Sequence, residues 1–167
     1  MMTHIHHEDV KVLHLPPQPT LSIRETVPLL ALGEARGRML RVLADVLTRR
    51  GIRPVGSPVV RYHTFNEVET DLELAVPFNE PQAGEDPVVS GELPGGPVAT
   101  TWHLGPHDTL GNTYTRLKAW CQAQSREPGG TAWEIYTWID LLTSADPGGR
   151  PAPSTWWTQL VQPLTHR

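Results

Sequence analysis

Apolar and polar residues alternate through Val10–Leu15 and again through Leu21–Val27, a period of two that predicts extended chain. Pro16 and Pro17 fall between these runs, so the expectation is one long strand with a proline interruption, lying at or near a sheet edge because proline cannot donate to a ladder. From Glu34 to Arg50 the period changes. Met39, Leu40, Val42, Leu43, Val46 and Leu47 recur at helical spacing with arginines opposite them and Gly51 as the stop, which predicts an amphipathic helix covering a sheet. Val59–Phe65 and Thr70–Pro77 return to a period of two across a short polar turn, the pattern of a hairpin.

After a linker at residues 79–87, rich in proline, glycine and acids, the same order comes round again. Val98–Leu104 reads as a strand, Gly105-Pro106 as a turn, and residues 108–125 as a helix with Leu110, Tyr114, Leu117 and Cys121 inward and Asp108 as N-cap. Residues 131–139 and 155–161 supply two closing strands, separated by a Pro/Gly-rich loop from Ser144 to Pro153. The halves even end alike, at Val76-Pro77-Phe78 and Gln162-Pro163-Leu164. The predicted fold is therefore α+β: a duplicated β-α-β-β module with pseudo-twofold symmetry, two helices on an antiparallel sheet, and a central ligand cleft between the halves. A single domain is expected over residues 8–164, with one half at about 8–78 and the other at about 88–164, preceded by a disordered tail at 1–7.

Composition narrows the function. A chain of 167 residues can bury roughly two thirds of its unfolded surface, enough for one core. The formal charge of -4 offers no general attraction for phosphates, so direct nucleic-acid binding is not expected. Between Arg61 and Arg116 there is no lysine or arginine, whereas Glu67, Glu69, Asp71, Glu73, Glu80, Glu85, Asp86, Glu92 and Asp108 all fall there. Cys121 has no partner for an internal disulfide, and no apolar run suits a signal peptide, anchor or membrane span, so a cytoplasmic protein is expected.

Trp133-Glu134-Ile135-Tyr136-Thr137-Trp138 is the segment richest in chemistry. On a strand, Glu134, Tyr136 and Trp138 share one side. A carboxylate between aromatics on a half-buried strand is costly to desolvate without a partner. Glu134 thus reads either as a solvent-facing or structurally bonded group, or as an anchor for a ligand's cation, donor group or water. Aligning Tyr136 with Tyr62 sets Glu134 against Val60, so one half carries the carboxylate and the other does not. Trp102, Trp120, Trp156 and Trp157 place every tryptophan in the second half, which suggests a stacking surface for a flat ring system or a cation.

The eight histidines do not form a ligand set: His4, His6 and His7 lie in the tail, and His63, His103 and His107 are dispersed, so neither metal nor cofactor is expected. His103 and His107 bracket the strand-to-helix turn, where turn hydrogen bonding and ligand contact are both open readings. Gly91-Glu-Leu-Pro-Gly-Gly-Pro is a turn between strands rather than a phosphate loop, and no serine sits in a nucleophile elbow.

Taken in order, Arg61-Tyr62-His63, Glu69–Pro77, Gly91–Ala99, His103-Leu-Gly-Pro, Leu110–Trp120 and Trp133–Tyr136 resemble the GyrI-like domain, found also as the effector-binding half of AraC- and MerR-type multidrug regulators. The resemblance implies Glu134 at the bottom of a hydrophobic cleft, contacting cationic or polar drug groups. Tyr136, Trp138 and Trp102 are expected to supply stacking surface around it, with His107 and Tyr62 as further ligand-binding residues. His107 departs from the tyrosine usual after the Gly-Pro pair. No helix-turn-helix precedes residue 8, which disfavours transcriptional control by this chain alone. Three functions follow from the resemblance. One is sequestration of an aromatic, hydrophobic or cationic small molecule for self-protection or antibiotic resistance. Another is cofactor-independent hydrolysis of cyclopropane-bearing natural products, with Glu134 and Tyr136 catalytic. The last is inhibition of gyrase through contact, with the acidic stretch as a DNA mimic. Monomer and dimer are both compatible with the sequence.

Overall fold

In the computed structural model, which describes residues 9–142 and 151–166, the strands join a single eight-stranded antiparallel sheet. In chain order the elements are β1 (Lys11–Leu15), β2 (Gln18–Pro28), α1 (Leu32–Arg50), β3 (Val59–Phe65), β4 (Glu69–Pro77), β5 (Val89–Leu93), β6 (Gly96–Leu104), α2 (Leu110–Ala123), β7 (Trp133–Tyr136) and β8 (Trp157–Pro163). The sheet order is β1-β6-β8-β7-β3-β4-β2-β5. The duplicated module is thus β2-α1-β3-β4 and β6-α2-β7-β8, an α+β fold as the hydrophobic pattern predicts.

The run from Val10 to Val27 is not one strand. Pro16 and Pro17 end β1, which pairs with β6 of the second half, while β2 pairs with β4 of the first half. β5, within a stretch read from sequence as linker and turn, makes the reciprocal move and pairs with β2. Each half therefore receives its outermost strand from the chain segment that leads into the other. The exchange is symmetric in register: Leu13 faces Val98, and Gly91 faces Thr20. So are the closing bonds, with Phe78 N–H donating to Pro19 O at 2.8 Å and Leu164 N–H to Pro97 O at 2.9 Å.

The halves meet where β3 pairs with β7, and the middle of that contact is Val60 opposite Glu134. α1 buries Met39, Leu43 and Leu47 against Leu21 and Ile23 of β2 and Leu72 and Leu74 of β4. Each such leucine contributes ~1.5–3 kcal/mol. The helix stops at Gly51, whose φ of 64° is the left-handed conformation glycine adopts without strain. α2 buries Leu110, Leu117 and Cys121 against Ala99 and Leu160. On the opposite face the sheet curls around Val59, Ala75, Leu93, Val98, Trp133 and Val161.

Local differences from the expected pattern have local causes. A 3-10 turn at His107–Thr109 precedes α2, Thr109 takes the N-cap position without a side-chain cap bond, and Asp108 is not the cap. The strand expected over residues 131–139 ends at Tyr136, where Ile139 N–H donates to Tyr136 O at 3.2 Å and turns the chain. β8 starts at Trp157 because Pro153–Thr155 forms another 3-10 turn. The predicted tail at 1–7, with His4, His6 and His7, lies outside the described residues, as does most of the loop at 144–153.

Among the described residues no helix is long and apolar enough to cross a membrane. The acidic stretch is partly neutralised within the fold: Asp71 pairs with Arg24, Glu73 with Arg61, and Glu85 with Arg49 and Arg50.

Candidate functional site

A cleft of about 890 Å³ opens over the β3–β7 junction, between the first turns of the two helices. Its size is that of a small-molecule site. The pseudo-twofold furnishes matching walls: Leu32 and Arg36 on α1 answer Leu110 and Tyr114 on α2. Arg36, Tyr62, His107, Tyr114 and Glu134 bring the polar groups to its lining.

Glu134 is 2% exposed. Tyr114 donates its hydroxyl to Glu134 Oε2 at 2.6 Å, and Tyr136 donates to Oε1 at 2.9 Å. Burial raises the Glu134 pKa above the ordinary carboxylate value; the two tyrosine bonds and the positive charge of Arg36 oppose that shift without reversing it. In turn, burial and the neighbouring carboxylate raise the pKa of both tyrosines, so each hydroxyl keeps its proton and remains a donor. Arg36 Nη1 donates to Tyr62 Oη at 3.3 Å and, more weakly, to Tyr136 Oη at 3.5 Å. A guanidinium and a carboxylate are thereby joined through one tyrosine hydroxyl.

Aromatic packing holds that hydroxyl in place. Tyr136 stacks on Trp138 at 4.7 Å, and Trp138 stacks on Trp156 at 4.5 Å. His107 stands edge-on to all three rings and hydrogen-bonds Thr158 Oγ1 through Nε2 at 2.8 Å. Burial, with the nearby charge of Arg36, pulls the His107 pKa down from 6.5 to about 4, so the imidazole is neutral at physiological pH. The unfolded chain protonates first on acidification, so this stabilisation is complete above about pH 6.5 and is lost as the pH falls through about 4. His107→Phe keeps a ring in the stack and removes the titration. Its unfolding midpoint is expected to fall less steeply than the parent's between those pH values, and equal slopes in pH-resolved thermal melts would contradict the assignment.

The opposite rim depends on a β-bulge. The register of β3 against β4 shifts between Tyr62 and Thr64, which leaves His63 as the extra residue and puts Phe65 on the same side as Tyr62. Their rings meet edge to face at 5.8 Å, and Phe65, 62% exposed, forms an apolar lip. His63, also in the lining, hydrogen-bonds Glu73 at 2.7 Å.

Of the residues singled out from sequence, Glu134, Tyr62 and His107 line the cleft. Tyr136 reaches it through the bond to Glu134, while Trp138 lies behind Tyr136 in the stack. Trp102 is not in the lining and meets Trp157 edge to face at 6.2 Å. It faces away from α2 because its neighbour on β6, His103, turns inward to Thr113 at 2.7 Å. Among the lining residues that sequence reasoning does not single out are Arg36, which it places with the outward arginines, and Tyr114, which it places in helix packing. The signal was present. Arg36 sits on the apolar stripe of Leu32, Met39 and Leu43, and Leu-Gly-Glu-Ala-Arg at 32–36 parallels Leu-Gly-Asn-Thr-Tyr at 110–114. Among the described residues no cluster of three histidine, cysteine or acidic side chains could hold a metal.

Several solved structures share this fold. The EcmrR C-terminal domain superposes with a TM-score of 0.73 at 19% identity, covering 95% of this chain and 98% of that one. In the EcmrR–DNA complex the TM-score is 0.77 at 19% identity, with 95% of this chain matched, and the chain spans 58% of that longer protein. A hydrolase from Listeria innocua gives 0.64 at 12% identity, covering 95% of this chain and 92% of that one. SAV2435, solved bound to tetraphenylphosphonium, gives 0.65 at 12% identity and 94% coverage of both chains. No curated protein matches the sequence. Residues 8–138 match the model of the GyrI-like small molecule binding domain, and the chain belongs to that family.

Proposed function

We propose that this protein binds and sequesters a flat aromatic small molecule, with self-protection or resistance as the outcome. One observation carries the reading: a carboxylate almost wholly removed from water lies beneath an open cleft of about 890 Å³. Burying an acid is costly unless something compensates, and a site that bears such a cost beside an accessible space is a candidate for ligand recognition. Tyr62 and His107 would contact the guest's ring, Glu134 and the two tyrosines bonded to it would read its polar group, and Trp138 would act only by holding Tyr136. SAV2435, which shares this fold and was solved bound to tetraphenylphosphonium, supports the reading. The test is calorimetric titration with naphthalenes bearing hydroxyl, carboxamide, ketone or amine groups. Saturable one-to-one binding is expected, and Glu134→Gln should weaken at least one class ~10-fold, equivalent to ~1.4 kcal/mol. Equal binding of every member by parent and variant would remove Glu134 from recognition.

A hydrolytic reading rests on the same residues and on the upward pKa shift of Glu134 beside two protonated tyrosines. With an electrophilic cyclopropane conjugated to a carbonyl, Glu134 would take a proton from water as its oxygen bonds to the ring carbon. The ring carbon–carbon bond would break, its electron pair passing to the carbonyl oxygen, which takes up the proton that Glu134 removed from water, so that one water is added overall. Mass spectrometry after incubation with such a compound separates the readings: substoichiometric protein that adds one water to excess compound is an enzyme, and an unchanged mass leaves binding alone.

A further inference from the structure

We infer that the cleft selects aromatic molecules carrying a hydrogen-bond acceptor, a carbonyl or an acid group, over permanent cations, and that Arg36 sets this preference. The inference rests on the binding reading above and specifies its ligand class. Its basis is the asymmetry of the two walls. Where α2 presents Tyr114, whose hydroxyl is spent on Glu134, α1 presents Arg36 at the matching position. Among the described residues Arg36 makes no ion pair, and only Nη1 donates, to Tyr62 and Tyr136. A guanidinium carries five N–H donors and no acceptor, so Nε and Nη2 remain unspent on a side chain that lines the cleft. Glu134, by contrast, already accepts a tyrosine hydroxyl on each oxygen.

A guest therefore meets spare donors and a positive charge on one wall, and a carboxylate capped by hydroxyl groups on the floor. His107 adds no second charge because it is neutral near pH 7. A fixed cation would enter beside the guanidinium and suffer like-charge repulsion, strengthened where water is displaced. A carbonyl or carboxylate would instead complete the Arg36 fork, the geometry in which arginine is most effective.

The test uses three ligands with one ring: 2-naphthoate, 2-acetonaphthone and (2-naphthylmethyl)trimethylammonium, titrated into the intact protein at pH 7. Both acceptor-bearing ligands are expected to bind at least ~10-fold more tightly than the ammonium, a difference of ~1.4 kcal/mol. Arg36→Met should abolish or reverse that order, and Arg36→Lys, which keeps the charge, should retain the discrimination against the ammonium. Thermal melts of both variants show whether either has lost its fold, and the parent's own ranking is decisive if one has. Ammonium binding as tight as naphthoate in the parent overturns the inference while leaving the binding reading intact. Failure of all three to bind overturns both.

Discussion

Trp138→Ala is expected to destabilise the protein by ~3–5 kcal/mol, the usual cost of deleting a large packed aromatic side chain. At ~2–4 °C per kcal/mol for a chain of this size, the melting temperature should drop by about 10 °C. The reason is its place in the centre of a stack, 4.7 Å from Tyr136 and 4.5 Å from Trp156, with His107 edge-on at 5.1 Å. Trp138 is not among the cleft's lining residues, yet ligand affinity should fall as well, because Tyr136 loses the surface that aims its hydroxyl at Glu134. Trp138→Phe distinguishes stacking from hydrogen bonding: the indole N–H has no partner among the described residues, so the smaller ring should recover most of the stability. Melting curves that show Phe as damaging as Ala would refute the stacking account.

Glu134→Gln should do the opposite to stability while it impairs binding. A carboxyl whose pKa is raised by folding stabilises the native state fully below its ordinary value of 4.5, and that contribution is lost as the pH rises through the shifted value. Glutamine has no proton to lose, so the variant's advantage should grow with pH, reaching ~1–3 kcal/mol at neutral pH, a range typical for relieving a buried, imperfectly paired charge. His107 titrates in both proteins and cancels from the difference. Thermal melts at pH 5 and pH 8 check this, and a variant less stable than the parent at pH 8 would mean that Glu134 is a structural ion rather than a strained functional one.

The sequence made some features plain and concealed others for identifiable reasons. Period-two and helical spacing located both β-α-β-β modules, because each element buries only one face and must advertise it. Glu134 was legible as a charge among rings, and its match to Val60 across the duplication was legible in the alignment of Tyr136 with Tyr62; in the structure those two residues face one another on β7 and β3. β1 and β5 were harder. A strand's pattern shows that it pairs but not with what, and the prolines that split the first run leave no trace of the destination. Trp102 shows the limit of composition: a tryptophan's value as stacking surface depends on which side of β6 it leaves, and that is fixed by His103 turning toward Thr113. Arg36 was hidden by habit, since an arginine on an amphipathic helix normally belongs to the polar face.

The reciprocal loan of β1 and β5 has an implication for the site itself. A homodimer built from one such module would trade the same strands between subunits, and its axis would pass between two copies of a single residue. Symmetry would then force either a pair of acids or a pair of apolar side chains onto that axis, and two buried carboxylates in contact would repel. Joining both modules in one polypeptide lifts that restriction. Valine and glutamate can sit across from each other, and arginine and tyrosine can occupy twin positions above them, giving a nearly symmetric scaffold a cleft with a polarity that a two-chain version could not possess.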